Sequence, residues 1–358
     1  MARRGRRSRG RSIDGIIVVD KDFGASSNEV LQRVKRIFNA EKAGHTGSLD
    51  PLATGVLPIC LGEATKFSQY LLESDKSYRT TMKMGVQTTT GDREGEVVEE
   101  RPVTVTRSDV EAILDRFRGD VDQIPSMYSA LKHNGRPLYE YAREGIVIER
   151  PSRTIKIYRL ELLDFNGDEC VFEVDCSKGT YIRTLLEDIG VALGCLGHVA
   201  ELRRLKAGPY TEHQIHTLDE LMQLRDKGRD AALEESDAVD FAEISAQVAE
   251  IGRENLEEDQ VVRLRELAKI RNKAGDRVID ELLLPLDSAV SDWPQVRLGE
   301  ASSFFVSQGN PVQVPQAPTE GQVRIYGTTE NSEGAVKFLG IGEITDDGLV
   351  APKRLIKN

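Results

Sequence analysis

The chain has 358 residues, 39% of them hydrophobic, which suits about two domains with a sizeable core and excludes wholesale disorder. No apolar run nears the ~18 residues needed to span a bilayer, and the arginine-rich start has no apolar segment behind it, so the expectation is a cytoplasmic protein with no membrane partner. The net charge of −11 seems to disfavour a nucleic-acid partner, but residues 219–282 hold 18 acidic against 10 basic side chains while residues 1–218 balance at 32 of each. Phosphate binding follows clustered charge rather than the total, so a basic groove remains open to the first part of the chain.

In chain order, six arginines in the first eleven residues mark residues 1–12 as a basic arm, expected to be disordered and drawn to polyanions. Gly15-Ile16-Ile17-Val18-Val19-Asp20 reads as a buried strand. Ser26-Ser27-Asn28-Glu29 gives a capping box, and Leu31, Val34 and Phe38 recur at helical spacing behind it, with Arg33, Lys35 and Arg36 on the other face. A Gly/Pro-rich stretch follows over 44–62, then a short helix near 67–72 and a half-exposed strand through Tyr78, Thr80, Met82 and Met84. Residues 108–117 are helical by spacing, and 124–151 mixes Pro, Gly, basic and aromatic residues as a long functional loop. Strands are expected at 154–163 and 169–176, then a helix running from Arg183 to near Gly194.

Strands and helices are mixed here without strict β-α-β alternation, so the fold class expected for 13–218 is α+β with a mixed sheet. Residues 219–282 form an acidic helical insertion with an apolar stripe at Val261, Leu264 and Ala268, expected to project away from any RNA-binding cleft. Beyond Pro285 short strands return (312–314, 323–326, 337–344, 349–351), giving a small β-rich domain over 283–358. The four cysteines form no C-x-x-C pair and read as buried thiols, and the five histidines are scattered, so no metal site is expected.

The densest chemical signal is Gly44-His45-Thr46-Gly47-Ser48-Leu49-Asp50-Pro51-Leu52-Ala53-Thr54-Gly55-Val56-Leu57. Three glycines and a proline in its first twelve residues specify the backbone tightly, and Asp50 is its only acid. Read locally, Asp-Pro in such a loop serves either as a turn former or as an acid aimed into a cleft.

This stretch resembles the catalytic motif of the TruB family of pseudouridine synthases, which act on tRNA position 55. The likeness extends to Gly15–Lys21, to 77–85, to Ile124-Pro-Ser-Met-Tyr-Ser-Ala-Leu-Lys132, to Leu138-Tyr-Glu-Tyr-Ala142, to Cys176-Ser-Lys-Gly-Thr-Tyr-Ile-Arg183 and to Leu202-Arg-Arg-Leu205. The tail around Phe338-Leu-Gly-Ile-Gly-Glu-Ile344 and Val350-Ala-Pro-Lys-Arg354 is similar to the PUA RNA-binding domain of bacterial members.

The resemblance implies isomerisation of a T-loop uridine of tRNA to pseudouridine. That reaction breaks the C1′–N1 bond, turns the base and joins C1′ to C5, with no redox change and no group donor, so no cofactor is called for. It needs a nucleophile that can hold a fragment while the base turns, and an aspartate of ordinary pKa ~3.9 is ionised without a helper base. By resemblance Asp50 is that group, attacking C6 or C1′ or assisting a glycal route, with Arg183 as its partner and Tyr78 stacked on the target base, where it is also a candidate to help remove the C5 proton.

The same likeness assigns Tyr181 and Leu202 to the pocket wall and His45 to the bases displaced when the uridine is flipped out. Lys21, Lys132 and Arg143 are expected on phosphates, as are Arg36, Lys42, Lys66, Arg136, Lys178, Arg203 and Arg204. Residues 124–151 correspond to a thumb that closes on the tRNA T-arm stem-loop. A monomer with no obligate protein partner is expected. Two other readings stand beside it: a tRNA-folding chaperone with dispensable catalysis, and a dyskerin-like enzyme that depends on guide RNA.

Overall fold

The computed structural model describes residues 10–252, 255–328 and 335–357. Most of the expected basic arm therefore lies outside the described residues. Its last part is tied down: the Arg11 guanidinium donates to both carboxylate oxygens of Asp280, at 2.9 and 2.8 Å, and to the Phe38 carbonyl.

The larger part of the chain is an α+β domain on a mixed sheet, as the sequence implies. Across the sheet the strands run Ile215–His216, Gly15–Lys21, Thr54–Leu61, Gly197–Ala207, Lys76–Met84, Glu169–Cys176, Arg153–Asn166 and Gly119–Gln123. Two of these pairings are parallel, Gly15–Lys21 with Ile215–His216 and Gly197–Ala207 with Thr54–Leu61, and the others are antiparallel. Near-continuous apolar runs such as Gly15–Lys21 and Thr54–Leu61 are buried on both faces.

Helix Ser27–Ile37 starts at the Ser26–Glu29 capping box and buries Val30, Leu31, Val34 and Ile37 in the main core. Helix Ile182–Leu193 ends at Gly194 (φ 78°), and a Cβ on its Gly190 would lie 2.4 Å from the Leu196 carbonyl carbon, so only glycine lets the helix meet the next strand this closely. That next strand, Gly197–Ala207, sits mid-sheet although the charges of Glu201-Leu202-Arg203-Arg204 conceal it in the sequence. The expected helix at 108–117 divides into an α-helix Arg107–Ile113 and a 3-10 turn Leu114–Phe117.

Residues 218–280 form three helices, Leu218–Asp230, Glu235–Ile251 and Glu258–Asp280. The first and third touch where a Cβ on Gly228 would come 3.2 Å from Gly275 Cα. The residues buried there are Leu267 and Ile279, whereas the expected stripe of Val261, Leu264 and Ala268 is only half-buried.

The tail is a four-stranded sheet, Gln295–Arg297, Gln322–Gly327, Lys337–Ile344 and Val350–Leu355, with helix Glu300–Ser307. Val312 makes only an isolated bridge to Val350, so no strand forms at 312–314. This unit is mounted on the larger domain by the ring pairs Phe67–Phe338 (5.6 Å between centroids) and Tyr70–Trp293 (5.0 Å). Lys66 Nζ also donates to the Leu355 carbonyl at 2.8 Å and the Lys357 amide to Glu63 at 2.7 Å. Among the described residues no helix is long and apolar enough to cross a membrane.

Candidate active site

The loop 46–53 leaves the strand Ala43–His45 and returns as Thr54–Leu61, its antiparallel neighbour. Buried Leu49, Leu52 and Ala53 anchor it, and Ser27 Oγ accepts from the Leu49 amide at 2.8 Å. At Gly55 (φ 97°) a Cβ would fall 2.3 Å from the Arg204 carbonyl oxygen, so the strand can pass only as glycine. The Lys21 ammonium clamps the loop from below, donating to the carbonyls of Asp22, Pro51 and Ala53 at 3.0, 3.1 and 2.5 Å. Lys21 is fully buried, and desolvation lowers its pKa to about 8. The expectation that Lys21 holds phosphate is therefore corrected: its donors face inward and brace the loop.

So supported, the Asp50 side chain keeps 39% of its surface exposed and opens into a cavity of about 590 Å³. Arg183 Nε lies 2.9 Å from Asp50 Oδ2. The guanidinium is only 5% exposed, and its other donors reach the Thr90 carbonyl at 2.9 Å, the Tyr128 carbonyl at 2.8 Å and Asp92 Oδ2 at 3.4 Å. Desolvation raises the Asp50 pKa above the ordinary carboxylate value; Arg183 opposes that rise, and the Asp92 charge adds to it. Beside this cluster, burial raises Glu187 to about 7.

Asp92 is the residue that sequence reasoning missed. It is 4% exposed and fixed by Thr90 Oγ1 at 2.6 Å and the Glu94 amide at 3.1 Å. Its only signal is an acid within Thr88-Thr89-Thr90-Gly91-Asp92, which looks like an ordinary turn.

Of the other expected residues, His45, Lys132 and Arg143 also line the cavity, while Tyr78, Tyr181 and Leu202 stand back from it. Burial holds the Tyr78 phenol neutral, its pKa pushed up to about 12, next to the buried Arg204 guanidinium. Tyr181 caps helix Ile182–Leu193, its backbone bracketed by the Gln123 amide at 2.8 and 3.0 Å, and Leu202 is 7% exposed in Gly197–Ala207. His45 is half-buried, its Nδ1 has no hydrogen-bond partner, and burial lowers its pKa, so the ring is neutral.

Several of the basic residues expected on phosphates are engaged within the protein. Arg204 is buried and donates to the Val56 carbonyl; Arg203 pairs with Asp20 and Glu212; Lys66 pairs with Glu63; Arg136 pairs with Glu140 and Glu144. In the thumb, Lys132–His133 and Arg136–Pro137 form a small hairpin before helix Leu138–Arg143, where Arg143 lies 5.4 Å over the Tyr139 ring. Lys132 and Arg143 are exposed.

A larger, shallower groove of about 980 Å³ runs along helix Glu258–Asp280 beside Arg11 and holds none of the motif residues. Among the described residues there is no cluster of three or more His, Cys, Asp or Glu side chains arranged for a metal ion. Cys60, Cys170, Cys176 and Cys195 are all buried free thiols.

The cleft thus presents a half-exposed carboxylate held by a buried arginine, within an α+β domain built on a mixed sheet. The sequence profile described as "TruB family pseudouridylate synthase (N terminal domain)" matches residues 35–182. Profiles for TruB C-terminal regions match 183–239 and 294–356. The chain is 50% identical over 346 residues to "tRNA pseudouridine synthase B" of Ectopseudomonas mendocina, covering 97% of this chain and 96% of that protein. It is 49% identical over 357 residues to the protein of the same name from Aeromonas salmonicida, covering 100% and 98%.

Among solved structures, a Cbf5–Nop10–Gar1 complex matches with a TM-score of 0.64 at 24% identity, over 95% of this chain and 84% of that one, which speaks to the fold alone. The chain belongs to the TruB family of pseudouridine synthases.

Proposed function

We propose that this protein isomerises a uridine of transfer RNA to pseudouridine, the T-loop uridine at position 55, with Asp50 as nucleophile. The observation that carries the reading is the Asp50–Arg183 pair at 2.9 Å, open to a cavity on one side and locked to Asp92 and two carbonyls on the other. The arginine favours the anionic, nucleophilic form of the carboxylate and opposes the rise in pKa that desolvation of the cleft imposes. Atoms balance: the C1′–N1 bond breaks while Asp50 bonds the sugar or the base, the base turns, the C1′–C5 bond forms as the bond to Asp50 is released, the C5 proton leaves to solvent and N1 takes one up.

Tyr78, a neutral phenol set behind the cavity wall, is a poor base for proton removal and would pack under the turned base only where the cavity deepens on RNA binding. His45, neutral and on the cavity wall, suits contact with the bases left behind by the flipped uridine. Lys132 and Arg143 hold phosphates from the thumb, and residues 283–358 act as a PUA-like RNA-binding unit. The partner is the T-arm stem-loop, engaged by a monomer.

The guide-dependent alternative has little behind it. The relatives at half identity are named tRNA pseudouridine synthase B, whereas the Cbf5 complexes stand at 24% identity. Tritium release from C5-labelled uridine in a bare T-arm stem-loop tests the reading. Release by the wild-type protein and none by Asp50→Ala supports it. Silence on the bare stem-loop, or undiminished release by Asp50→Ala, overturns it.

A further inference from the structure

Phe23 is an exposed aromatic (53%) in an otherwise polar turn, Asp22-Phe23-Gly24, directly after the strand Gly15–Lys21. The Arg93 guanidinium lies over its ring, 4.8 Å from the centroid. Arg93 is itself exposed and has no carboxylate partner among the described residues, unlike Arg136, Arg159 and Arg203. An apolar ring and a cation with no carboxylate partner among the described residues are thus held together on an exposed turn.

Their position is set by both walls of the catalytic cavity. The Phe23 turn is tied to the catalytic loop, with the Gly24 amide donating to the Pro51 carbonyl at 2.9 Å and Lys21 bridging Asp22 and Pro51. Arg93 sits between Asp92 and Glu94, which line the cavity together with Asp50 and Pro51. The Arg93 amide donates to the Val199 carbonyl at 2.9 Å, fixing that turn to the sheet. The pair therefore joins two turns that adjoin the cavity, Arg93 lying between the lining residues Asp92 and Glu94, and Phe23 three residues before the lining Ser26 and tied through Gly24 to Pro51.

We propose that Phe23 and Arg93 form a stacking platform that takes an unpaired base of the substrate RNA next to the uridine entering the Asp50 cavity. This rests on the function proposed above. Flat π-faces and guanidinium planes recognise bases that are already out of a helix, and they tolerate any base because each has a π-face. A flipped uridine leaves its loop neighbours unstacked beside the cleft, and this surface adjoins the cleft through Asp92, Glu94 and Pro51. The cation adds attraction to the nearby phosphates and to the ring quadrupole.

The test uses the full-length protein, T-arm stem-loops with a single abasic replacement at each loop position in turn, and label release as the readout. Phe23→Ala is expected to raise KM at least fivefold on the unmodified stem-loop while kcat stays within twofold, and Phe23→Trp to restore KM. At one loop position, not the target uridine, abasic replacement is expected to raise the wild-type KM and to abolish the difference between wild type and Phe23→Ala.

An unchanged KM for Phe23→Ala, with normal wild-type release, overturns this proposal alone. So does a penalty equal on every abasic stem-loop and reproduced by Arg93→Ala only, which marks binding to a phosphate. A wild-type protein that releases no label brings down the functional reading first, and this proposal with it.

Discussion

Arg183 and Asp50 meet through Nε and Oδ2 at 2.9 Å, and the arginine reaches that point already committed to three other acceptors. Its remaining donors face Asp92, the Thr90 carbonyl and the Tyr128 carbonyl, so one guanidinium ties the catalytic loop, the 89–95 turn and the root of the thumb together. The proposed nucleophile is positioned by a residue that cannot easily move.

Removing Asp50 should separate activity from stability. Asp50→Asn is expected to cut label release by roughly 10³-fold or more, as loss of a nucleophile does elsewhere. Because desolvation already raises the Asp50 pKa, the neutral amide should leave Tm unchanged or slightly higher. Single-turnover kinetics and thermal melts on one preparation check both halves.

Arg183 should behave in the opposite way. At 5% exposure, Arg183→Met leaves Asp92 buried without its cation, and breaking such a pair costs about 3–5 kcal/mol. A large fall in Tm with loss of activity is expected. Arg183→Lys should recover part of the stability but little of the rate, since a lysine cannot serve four acceptors in one plane. Denaturant titration and kcat measure the two effects.

The rate should depend on an ionised Asp50. Its pKa is raised, so activity is expected to fall on acidification at a pH above the ordinary carboxylate value. Asp92 contributes to that rise as a like charge, so Asp92→Asn should move the acid limb to lower pH even while weakening the Arg183 anchorage and lowering the plateau. A single-turnover pH profile of both proteins tests the sign; a limb that moves upward refutes it.

Lys21→Met should loosen the catalytic loop, because the buried Ala53 carbonyl loses its side-chain donor and the Asp22 and Pro51 carbonyls lose the ammonium that joins them, at about 1–3 kcal/mol for an unsatisfied group. The pH dependence has a definite sign. In the folded protein Lys21 titrates near 8, against 10.5 for a free side chain, so between those values the unfolded chain holds the extra proton. Wild-type stability relative to Lys21→Met should therefore increase as pH rises through that window. Urea melts at several pH values check it.

Lys132 and Arg143 are exposed on the thumb and should act on affinity alone. Alanine at either site is expected to weaken stem-loop binding with kcat unchanged. The slope of log Kd against log salt should become shallower by about 0.7–1 for each phosphate that no longer meets a cation. Filter binding across a salt series reads this directly.

What the sequence reveals follows from where information is local. The Asp50 loop is legible because its glycines and proline mark a specified backbone, and Arg183 because its motif surrounds it. The mixed sheet is legible from its apolar strands, but Gly197–Ala207 hides because Arg203 and Arg204 look like surface charge, and only the folded sheet shows Arg204 buried against Val56. Lys21 misleads for the same reason, since a lysine ending an apolar strand gives no sign that three carbonyls will gather round it. Asp92 is silent in one dimension; its role arises from meeting Arg183, 91 residues away in the chain.

The aromatic seams Phe67–Phe338 and Tyr70–Trp293 have a bearing on choice of substrate. With the tail bolted to the catalytic unit rather than tethered by a slack linker, the two behave as the fixed jaws of a caliper. A ligand that touches both must present its second foothold at one set distance from the reacting nucleotide. Size, then, becomes a criterion of selection in its own right, and inserting or deleting base pairs between the footholds should be felt as sharply as changing the nucleotides themselves.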